Sequence, residues 1–138
     1  MTEPRPPDLD GYAMASQSIV MYPHLSRVDR LFGGQLLAWI DEGCAMTAMK
    51  LMGTHRIVTK KMSEVIFEAP GMLGDIIEIW NKPTREGRSS LTMACQAVVV
   101  RERTAGRSVI CRCDIVFVAL DDHGRPQPWG PADRPGRG

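Results

Sequence analysis

The sequence of 138 residues predicts an α+β domain in which an antiparallel five-stranded sheet wraps around one long central helix. Only residues 31–52 have the length and composition of a long helix. Five segments rich in β-branched and apolar residues are separated by short connections, and no second helical segment is available for parallel crossovers. Because parallel strands need long crossover connections, this order of elements predicts antiparallel pairing.

The predicted helix begins after a glycine pair and ends at a glycine. Gly33 and Gly34 allow a tight turn, strong helix formers follow without proline, and Gly53 is a suitable C-cap. On a helical wheel, apolar side chains occupy most of the circumference. We therefore expect a sheet to curl around this helix, and a second copy of the chain to cover the flank that remains.

One predicted strand precedes the helix and four follow it. The predicted strands comprise residues 16–22, 57–68, 75–82, 89–103 and 108–120. The glycine-containing segments 85–88 and 104–107 are predicted to be turns.

The length of the chain fits one domain. About two thirds of the unfolded surface is buried in a domain of this size, so the core needs no disulfide or metal. Residues 13–125 are predicted to form the domain. Residues 1–12 and 126–138 are rich in proline, and we predict a flexible lead-in and a loose tail respectively.

The charge of the chain excludes some classes of partner. Seventeen basic and sixteen acidic side chains leave a net charge of +1, which gives no overall field for binding nucleic acid or an anionic membrane. There is no signal-peptide pattern, and no apolar run approaches the roughly 20 residues of a membrane span. These features predict a cytoplasmic protein.

The positions of the cysteines indicate that they are core residues rather than metal ligands. Cys44, Cys95, Cys111 and Cys113 lie in apolar segments, without the pairs or histidine spacing of a zinc site. We predict reduced, buried thiols and no bound metal. Cys111 and Cys113 share one face of a strand and would also suit a redox pair, but core packing is the more common arrangement.

Two adjacent carboxylates on the helix differ in their surroundings. The helical wheel places Asp41 within the apolar arc and Glu42 on a narrow polar stripe. Burying a carboxylate costs several kcal/mol, in order of magnitude, unless it is paired. Asp41 is therefore a candidate catalytic residue, and the alternative is a structural carboxylate held by a backbone amide, a basic partner or a subunit contact.

Five motifs follow one another along the chain: LFGGQLLAWIDE at 31–42, RIVT at 56–59, F-x-x-P-x-x-x-GD-x-I at 67–77, GRSSL at 87–91, and FVALDDHGRPQPW at 117–129. In this order and spacing they resemble the motifs of the hotdog-fold acyl-CoA thioesterases, in particular the small bacterial and cytosolic type. The resemblance spans roughly Tyr22 to Trp129.

The resemblance implies a hotdog fold and hydrolysis of an acyl-CoA thioester to a carboxylic acid and CoA. Asp41 matches the family's catalytic aspartate, which acts as general base or nucleophile. The amides near Gly33 and Gly34, at the positive end of the helix, would hold the developing oxyanion. The family builds its site across a dimer interface, so we expect a homodimer that assembles further into a tetramer or hexamer. CoA enters as part of the substrate, and no cofactor is implied.

The sequence departs from the family upstream of the FGG motif. Members carry an asparagine and a glycine there, whereas this chain has Ser26 or Val28 at the asparagine position and Asp29 at the glycine position. Since the asparagine helps to position the water or the thioester carbonyl, we expect Ser26, or a neighbouring group such as Glu42, to take its role, or turnover to be slow.

Basic residues near the matched motifs are candidates for binding the phosphates of CoA, because guanidinium and ammonium groups pair with phosphate. With two serines as hydrogen-bond donors, the predicted set is Arg56, Lys60, Lys61, Arg88, Ser89 and Ser90.

Two other functions compete with hydrolysis. A non-catalytic module that binds or senses acyl-CoA is favoured by the missing asparagine and disfavoured by Asp41. A hotdog dehydratase or hydratase would need a histidine to move a proton, but His24, His55 and His123 lie in predicted loops outside any such motif.

Overall fold

The computed structural model describes residues 5–101 and 104–137. The elements in order are β1 (Ala13–Ile19), a short 3-10 helix (Tyr22–His24), α1 (Gly33–Met52), β2 (Ile57–Phe67), β3 (Ile76–Glu86), β4 (Ser90–Arg101) and β5 (Thr104–Ala119). The five strands form one sheet in the order β1-β3-β4-β5-β2. Every neighbouring pair is antiparallel, and α1 packs against all five strands. The predicted antiparallel sheet around one long helix is therefore confirmed.

The long helix lies within the predicted segment 31–52 and ends where predicted, but Gly33 and Gly34, which were predicted to form a turn before it, are its first two residues. Its N-cap residue, Phe32, has extended backbone and its side chain makes no capping hydrogen bond. At the other end Gly53 adopts a left-handed conformation with φ of 71°, and its N–H donates to the Met49 carbonyl. Glycine is the residue that accepts this conformation at least cost, which is why the helix stops there.

One stripe of α1 faces the sheet. Its side chains repeat every four residues and are 0–3% exposed: Leu36, Ile40, Cys44, Ala48 and Met52. The opposite flank is open, since Met46 is 45% exposed and Leu51 is 49% exposed. The helix is therefore covered on one side within a single chain, and not on most sides as its composition predicts.

The first strand was predicted too late in the chain. Residues 13–19 pair with β3, whereas Tyr22 and Pro23 belong to the 3-10 turn. Because proline lacks an N–H and has a fixed φ, it suits the start of that turn better than a strand end.

The predicted boundaries of β3 and β5 are also wrong. β3 continues to Glu86 despite Pro83, because the pairing of β1 ends at Asn81 and the missing N–H of Pro83 has no ladder partner on that side. β5 begins at Thr104, so the predicted turn at 104–107 is strand. The connection between β4 and β5 lies at residues 102–103, outside the described residues.

The GD motif forms a tight turn into β3. Gly74 has φ of 86°, which favours glycine, and Asp75 is 6% exposed. The Asp75 carboxylate accepts the Met72 N–H at 2.8 Å and lies 3.2 Å from the Arg101 guanidinium. This part of the family motif therefore has a structural explanation.

The segment before β1 lies against the sheet from Arg5 onward. The Val109 N–H donates to the Arg5 carbonyl at 2.9 Å, and the Gln96 amide donates to the Asp8 carbonyl at 2.7 Å. Arg5 also forms an ion pair with Glu68, the residue that follows β2. Residues 1–4 of the predicted lead-in lie outside the described residues.

The four cysteines are free and buried, as predicted. Cys95 and Cys113 are register partners on β4 and β5. A hydrogen bond to Cys113 raises the pKa of the Cys95 thiol, and the same contact lowers the pKa of Cys113. Burial, with the nearby Cys113, raises the pKa of Cys111 to about 12. These thiols pack as small apolar side chains.

Within the described part of the chain, no helix combines the length and the apolar character that crossing a membrane requires.

The loop before α1 contains a strained residue. The Ser26 N–H donates to the Arg30 carbonyl at 2.7 Å, and the Asp29 N–H donates to the Ser26 carbonyl at 3.1 Å. Asp29 has φ of 59°, in the left-handed region. A residue with a Cβ is strained in that region, whereas glycine is not. This explains why the thioesterases that the sequence resembles carry a glycine at this position.

We expect Asp29→Gly to raise the free energy of unfolding, by up to about 1 kcal/mol, because it relieves this strain. Arg27→Gly is the matched control in the same loop, and should lower the free energy of unfolding because it only adds freedom to the unfolded chain. Urea denaturation of both variants measures the difference. A loss of stability in Asp29→Gly would contradict this account of the loop.

Gly43 allows close contact between α1 and the sheet. A Cβ at this position would lie 2.7 Å from Ser16 Oγ and 3.0 Å from Ile79 Cγ2. We expect Gly43→Ala to destabilise the fold by about 1 kcal/mol or more, because overpacking outweighs the gain in helix propensity. Thermal unfolding tests this, with the exposed substitution Lys50→Ala as control, for which the change should stay within about 0.5 kcal/mol.

Candidate active site

The candidate site contains a carboxylate on the side of α1 that faces β2. Asp41 lies in the third turn and is half-buried, and its Oδ1 accepts a hydrogen bond from Thr59 Oγ1 at 2.6 Å. Glu42 is exposed. The two adjacent carboxylates therefore differ, as predicted, although Asp41 is less buried than its position in the apolar arc indicates.

Asp41 is only half-buried because its closest strand lies at the edge of the sheet. β2 pairs with β5 on one side, and no described strand pairs with its other side. The Asp41 carboxylate can thus reach solvent, or a partner chain, along this edge.

Thr59 is the residue that the sequence analysis missed. It lies within the RIVT motif, to which no role was assigned, and it lies two residues after Ile57, which packs against the core. Because side chains two apart on a strand share a face, this spacing places Thr59 on the face toward the helix. The alternation of side chains along the strand predicts the face on which Thr59 lies. Its hydrogen-bond partner on the helix, Asp41, is seen only in the structure.

The start of α1 provides the second part of the site. The first N–H groups of a helix have no partner within it, and no side chain caps this helix start. A Cβ at Gly34 would lie 2.7 Å from the Phe32 ring, so glycine keeps the helix start compact. The amides of Gly33 and Gly34 therefore form an N-terminal donor pair at the positive end of the helix dipole.

A cavity of about 440 Å³ lies beside this helix start. Apolar side chains on its lining include Val28, Phe32, Leu36 and Phe67. Ser26 also lines it, and Ser26 Oγ accepts the Val28 N–H at 3.3 Å. The cavity could accommodate an apolar ligand with a polar group near the helix amides.

The structure does not bring Asp41 together with these groups in one chain. Asp41 follows Gly33 by eight residues on a continuous helix, which corresponds to a rise of about 12 Å. Gly33, Gly34 and Ser26 are therefore neighbours of one another, and the Asp41–Thr59 pair is separate from them.

The predicted phosphate-binding residues fall into separate places. Lys60, Ser89 and Ser90 line one cavity of about 340 Å³. Arg88 lines a different cavity of about 470 Å³. Lys61 is exposed on β2 and is among the lining residues of neither.

The predicted role of Arg56 is weakened by its acidic neighbours. Its guanidinium lies 3.2 Å from the Asp122 carboxylate, and it donates to the Asp121 carbonyl at 3.5 Å. Since these contacts offset its charge, Arg56 is less suited to phosphate than Lys60 or Arg88.

His24 stabilises the loop before α1, and its contacts do not indicate a role in proton transfer. Its Nδ1 accepts the Met21 N–H at 2.9 Å, and its ring packs edge-on against Trp39 at a centroid distance of 4.9 Å. Among the residues described, no group of three or more His, Cys, Asp or Glu side chains is arranged to hold a metal ion.

Comparison with known proteins gives relatives with consistent names. The acetyl-coenzyme A thioesterase of Mus musculus is 31% identical over 109 residues, covering 79% of this chain and 19% of the relative. The acyl-CoA thioester hydrolase YciA of Salmonella typhimurium is 27% identical over 101 residues, covering 71% of this chain and 75% of the relative. The chain thus spans about a fifth of the mouse relatives and three quarters of the bacterial one.

Solved structures share the fold. An apo-hexameric acyl-CoA thioesterase aligns with a TM-score of 0.79 at 27% identity, covering 91% of this chain and 80% of that chain. An acyl-CoA hydrolase from Staphylococcus aureus, in complex with butyryl-CoA, CoA and CoA disulfide, aligns with a TM-score of 0.77 at 29% identity, covering 88% and 73%. Variants of that hydrolase with an aspartate or a threonine replaced by alanine also align.

The sequence model of the Thioesterase superfamily matches residues 29–106, which include the start of α1, Asp41 and Thr59. This match covers more than half of the chain. The sheet and helix also align with a hotdog-fold thioesterase of Campylobacter jejuni, with a TM-score of 0.78 at 24% identity, covering 85% of this chain and 90% of that chain. The chain therefore belongs to the thioesterase superfamily and has the hotdog fold.

Proposed function

We propose that this protein hydrolyses acyl-CoA thioesters, releasing a carboxylic acid and CoA, with Asp41 as general base or nucleophile. The observation that carries the proposal is the 2.6 Å hydrogen bond from Thr59 Oγ1 on β2 to Asp41 Oδ1 on α1. It fixes the orientation of the carboxylate and leaves the second oxygen free to act on a water molecule. The names of the relatives support the same substrate class.

In the general-base form, Asp41 takes a proton from water as the water oxygen bonds to the thioester carbonyl carbon. The resulting oxyanion is stabilised by the amides of Gly33 and Gly34. The carbon–sulfur bond then breaks, and the proton held by Asp41 passes to the departing CoA thiolate. In the nucleophilic form, the Asp41 carboxylate bonds to the carbonyl carbon, the carbon–sulfur bond breaks and CoA departs as a thiolate, which leaves an anhydride between Asp41 and the acyl group. Water then adds to the anhydride, which releases the carboxylic acid and restores the Asp41 carboxylate, and the proton that this step frees neutralises the thiolate.

Both the general-base and the nucleophilic form of the reaction need two chains. Since Asp41 and the Gly33 amide are about 12 Å apart along one helix, the amides that face Asp41 belong to a second copy. The exposed Met46 and Leu51 on α1, and the edge of β2 with which no other strand pairs in the described part of the chain, offer the surface for that copy. We propose a homodimer as the smallest active unit, and solved relatives that are described as hexameric favour a hexamer over a tetramer.

Ser26 is proposed to replace the family's asparagine. It lines the cavity beside Gly33, where its hydroxyl can contact the thioester or the attacking water. A hydroxyl has one donor where an amide has two, and Ser26 Oγ already accepts from Val28, so we expect slower turnover than in a member with asparagine.

The competing proposal is a module that binds acyl-CoA without hydrolysis, and the missing asparagine is the observation that favours it. A dehydratase or hydratase has less support, because His24 is held by the loop and His55 and His123 are exposed.

Replacement of Asp41 tests the chemistry. We expect Asp41→Asn to lower kcat for acyl-CoA hydrolysis at least ~10²-fold, the low end for loss of a general base, because the amide cannot accept the proton. Glu42→Gln is the matched control on the next residue and should keep most of the activity.

An active Asp41→Asn variant beside an inactive Glu42→Gln variant would contradict this assignment. Wild-type protein that binds acyl-CoAs of several chain lengths but hydrolyses none would favour the binding module, and Asp41 would then be structural.

The two-chain site predicts the oligomeric state. Light scattering at micromolar concentration should show at least a dimer, because the flank of α1 and the edge of β2 expose apolar side chains in a single chain. Mixing Asp41→Asn chains with chains that carry a bulky residue at Gly33 should restore some activity through mixed dimers. A stable, active monomer would exclude the shared site.

A further inference from the structure

Both terminal segments of the chain pack on the sheet, although their composition predicts a flexible lead-in and a loose tail. In the tail, Trp129 is 5% exposed, and its Nε1 donates to the Ser90 carbonyl at 2.8 Å. In the lead-in, the Asp8 carbonyl accepts a hydrogen bond from the Gln96 amide at 2.7 Å. Such hydrogen bonds and apolar burial offset the entropy lost by ordering the two segments. The lead-in is also connected to the candidate active site, through the side chain of Arg5.

Two arginines hold Glu68, the first residue after β2. Arg5 reaches both carboxylate oxygens, since its Nε donates to Oε1 at 3.0 Å and a terminal nitrogen donates to Oε2. Nε of Arg112, on β5, donates to Oε2 at 3.1 Å. The Glu68 N–H donates to the Ile110 carbonyl at 2.7 Å. The side chain and the backbone of Glu68 are therefore both tied to neighbouring segments, and the lead-in, β2 and β5 meet at one carboxylate.

Phe67, the last residue of β2, contacts the start of α1. Successive side chains along a strand point to opposite faces, so Phe67 faces α1 while Glu68 faces the arginines. A Cβ at Gly33 would lie 3.5 Å from Phe67 Cζ, which is van der Waals distance, and Phe67 also lines the cavity of about 440 Å³. Because Phe67 is 53% exposed, packing holds its ring only in part. The position of the ring therefore depends on the backbone that Glu68 fixes.

The rest of this cavity wall is held independently of Glu68. The Pro70 carbonyl accepts a hydrogen bond from the Arg101 guanidinium at 2.9 Å, and the Gly71 carbonyl accepts the Leu31 N–H at 2.8 Å. Loss of the Glu68 contacts should therefore move the start of the wall without unfolding the remainder. Ion pairs with partly exposed arginines also contribute little to global stability. The effect of this cluster is thus expected at the cavity and not in the overall fold.

We propose that the lead-in takes part in selecting the acyl group of the substrate. Arg5 and Arg112 hold Glu68, and Glu68 is a positioning residue that keeps the neighbouring Phe67 ring at the helix start. In the proposed reaction the thioester carbonyl lies at the Gly33 amide, so the acyl carbons begin next to this ring, which limits the length of chain that the cavity accepts. The acyl group as ligand rests on the proposed hydrolase function, whereas the link from Arg5 to Phe67 rests on the contacts.

Two substrates that differ only in the acyl chain test this selection. Butyryl-CoA and octanoyl-CoA share the CoA moiety, so changes in CoA binding drop out of the ratio of their kcat/KM values. Phe67→Ala should raise the ratio of octanoyl-CoA to butyryl-CoA about 10-fold, because it removes the ring that limits the chain. Arg5→Ala should raise it about 3-fold, the factor that corresponds to one partly exposed ion pair. Arg85→Ala, which removes an exposed arginine of β3 that does not line the cavity, is the matched control and should leave the ratio unchanged.

A double variant separates positioning from a general loss of structure. If Arg5 acts through Phe67, Arg5→Ala should change the ratio in the wild-type background and leave it unchanged in the Phe67→Ala background. Arg5→Lys should restore the wild-type ratio only in part, because an ammonium group keeps the charge but cannot reproduce the fork that reaches both carboxylate oxygens. Glu68→Gln should shift the ratio in the same direction as Arg5→Ala, and the Arg5 variants keep the proposal testable if Glu68→Gln does not fold. An equal shift by Arg5→Ala in both backgrounds would overturn the link through Phe67.

Ligands that cannot react distinguish failure of this proposal from failure of the hydrolase function. S-butyl-CoA and S-octyl-CoA are thioethers without a carbonyl group, and calorimetry gives the ratio of their dissociation constants. If the wild type hydrolyses neither substrate but Arg5→Ala and Phe67→Ala shift this ratio in favour of S-octyl-CoA, the selection stands and the hydrolase proposal falls. If the wild type hydrolyses both substrates while Arg5→Ala leaves both ratios unchanged, the hydrolase stands and the role of the lead-in is wrong. That role is also wrong if the wild type neither hydrolyses the substrates nor binds the thioethers.

Discussion

The packing of one stripe of α1 against the sheet is the contact on which the rest of this protein depends. The stripe repeats every four residues and is almost fully buried, and side chains such as Leu36 and Ile40 each contribute about 1.5–3 kcal/mol by leaving water. Gly43 lets the helix approach Ser16 and Ile79 closely. With the helix fixed in rotation by this stripe, the direction of every other side chain on it is determined. Asp41 then points toward the edge strand, where Thr59 holds it.

The same rigid helix separates the two halves of the site. It presents free amides at its start and a carboxylate eight residues later, and a straight helix cannot bring them together. The site therefore needs a neighbouring chain, which makes catalysis depend on assembly. The exposed apolar side chains Met46 and Leu51 on the same helix offer surface for that second copy.

The C-terminal tail is held against the hairpin turn of β3 and β4 by Trp129 and Arg134. Buried arginines are costly unless their donors are satisfied, and Arg134 satisfies its donors on carbonyl groups of the tail and of the turn. A segment rich in proline and glycine is thereby tied to the domain by one tryptophan and one arginine. Neither contact follows from composition, because proline-rich segments are usually too poor in apolar area to pack.

The sequence by itself determined the class of the fold, the extent of the long helix and the difference between Asp41 and Glu42, because these follow from local periodicity, which is 3.6 residues in a helix and two in a strand. Its motifs indicated the family. The tertiary structure decided what depends on neighbours distant in the chain: β3 runs through Pro83 because β1 stops pairing before it, Thr59 meets Asp41 because β2 is an edge strand, and Trp129 finds the Ser90 carbonyl across the sheet. Such contacts join residues whose separation along the chain carries no periodic signal, so only the folded chain shows them.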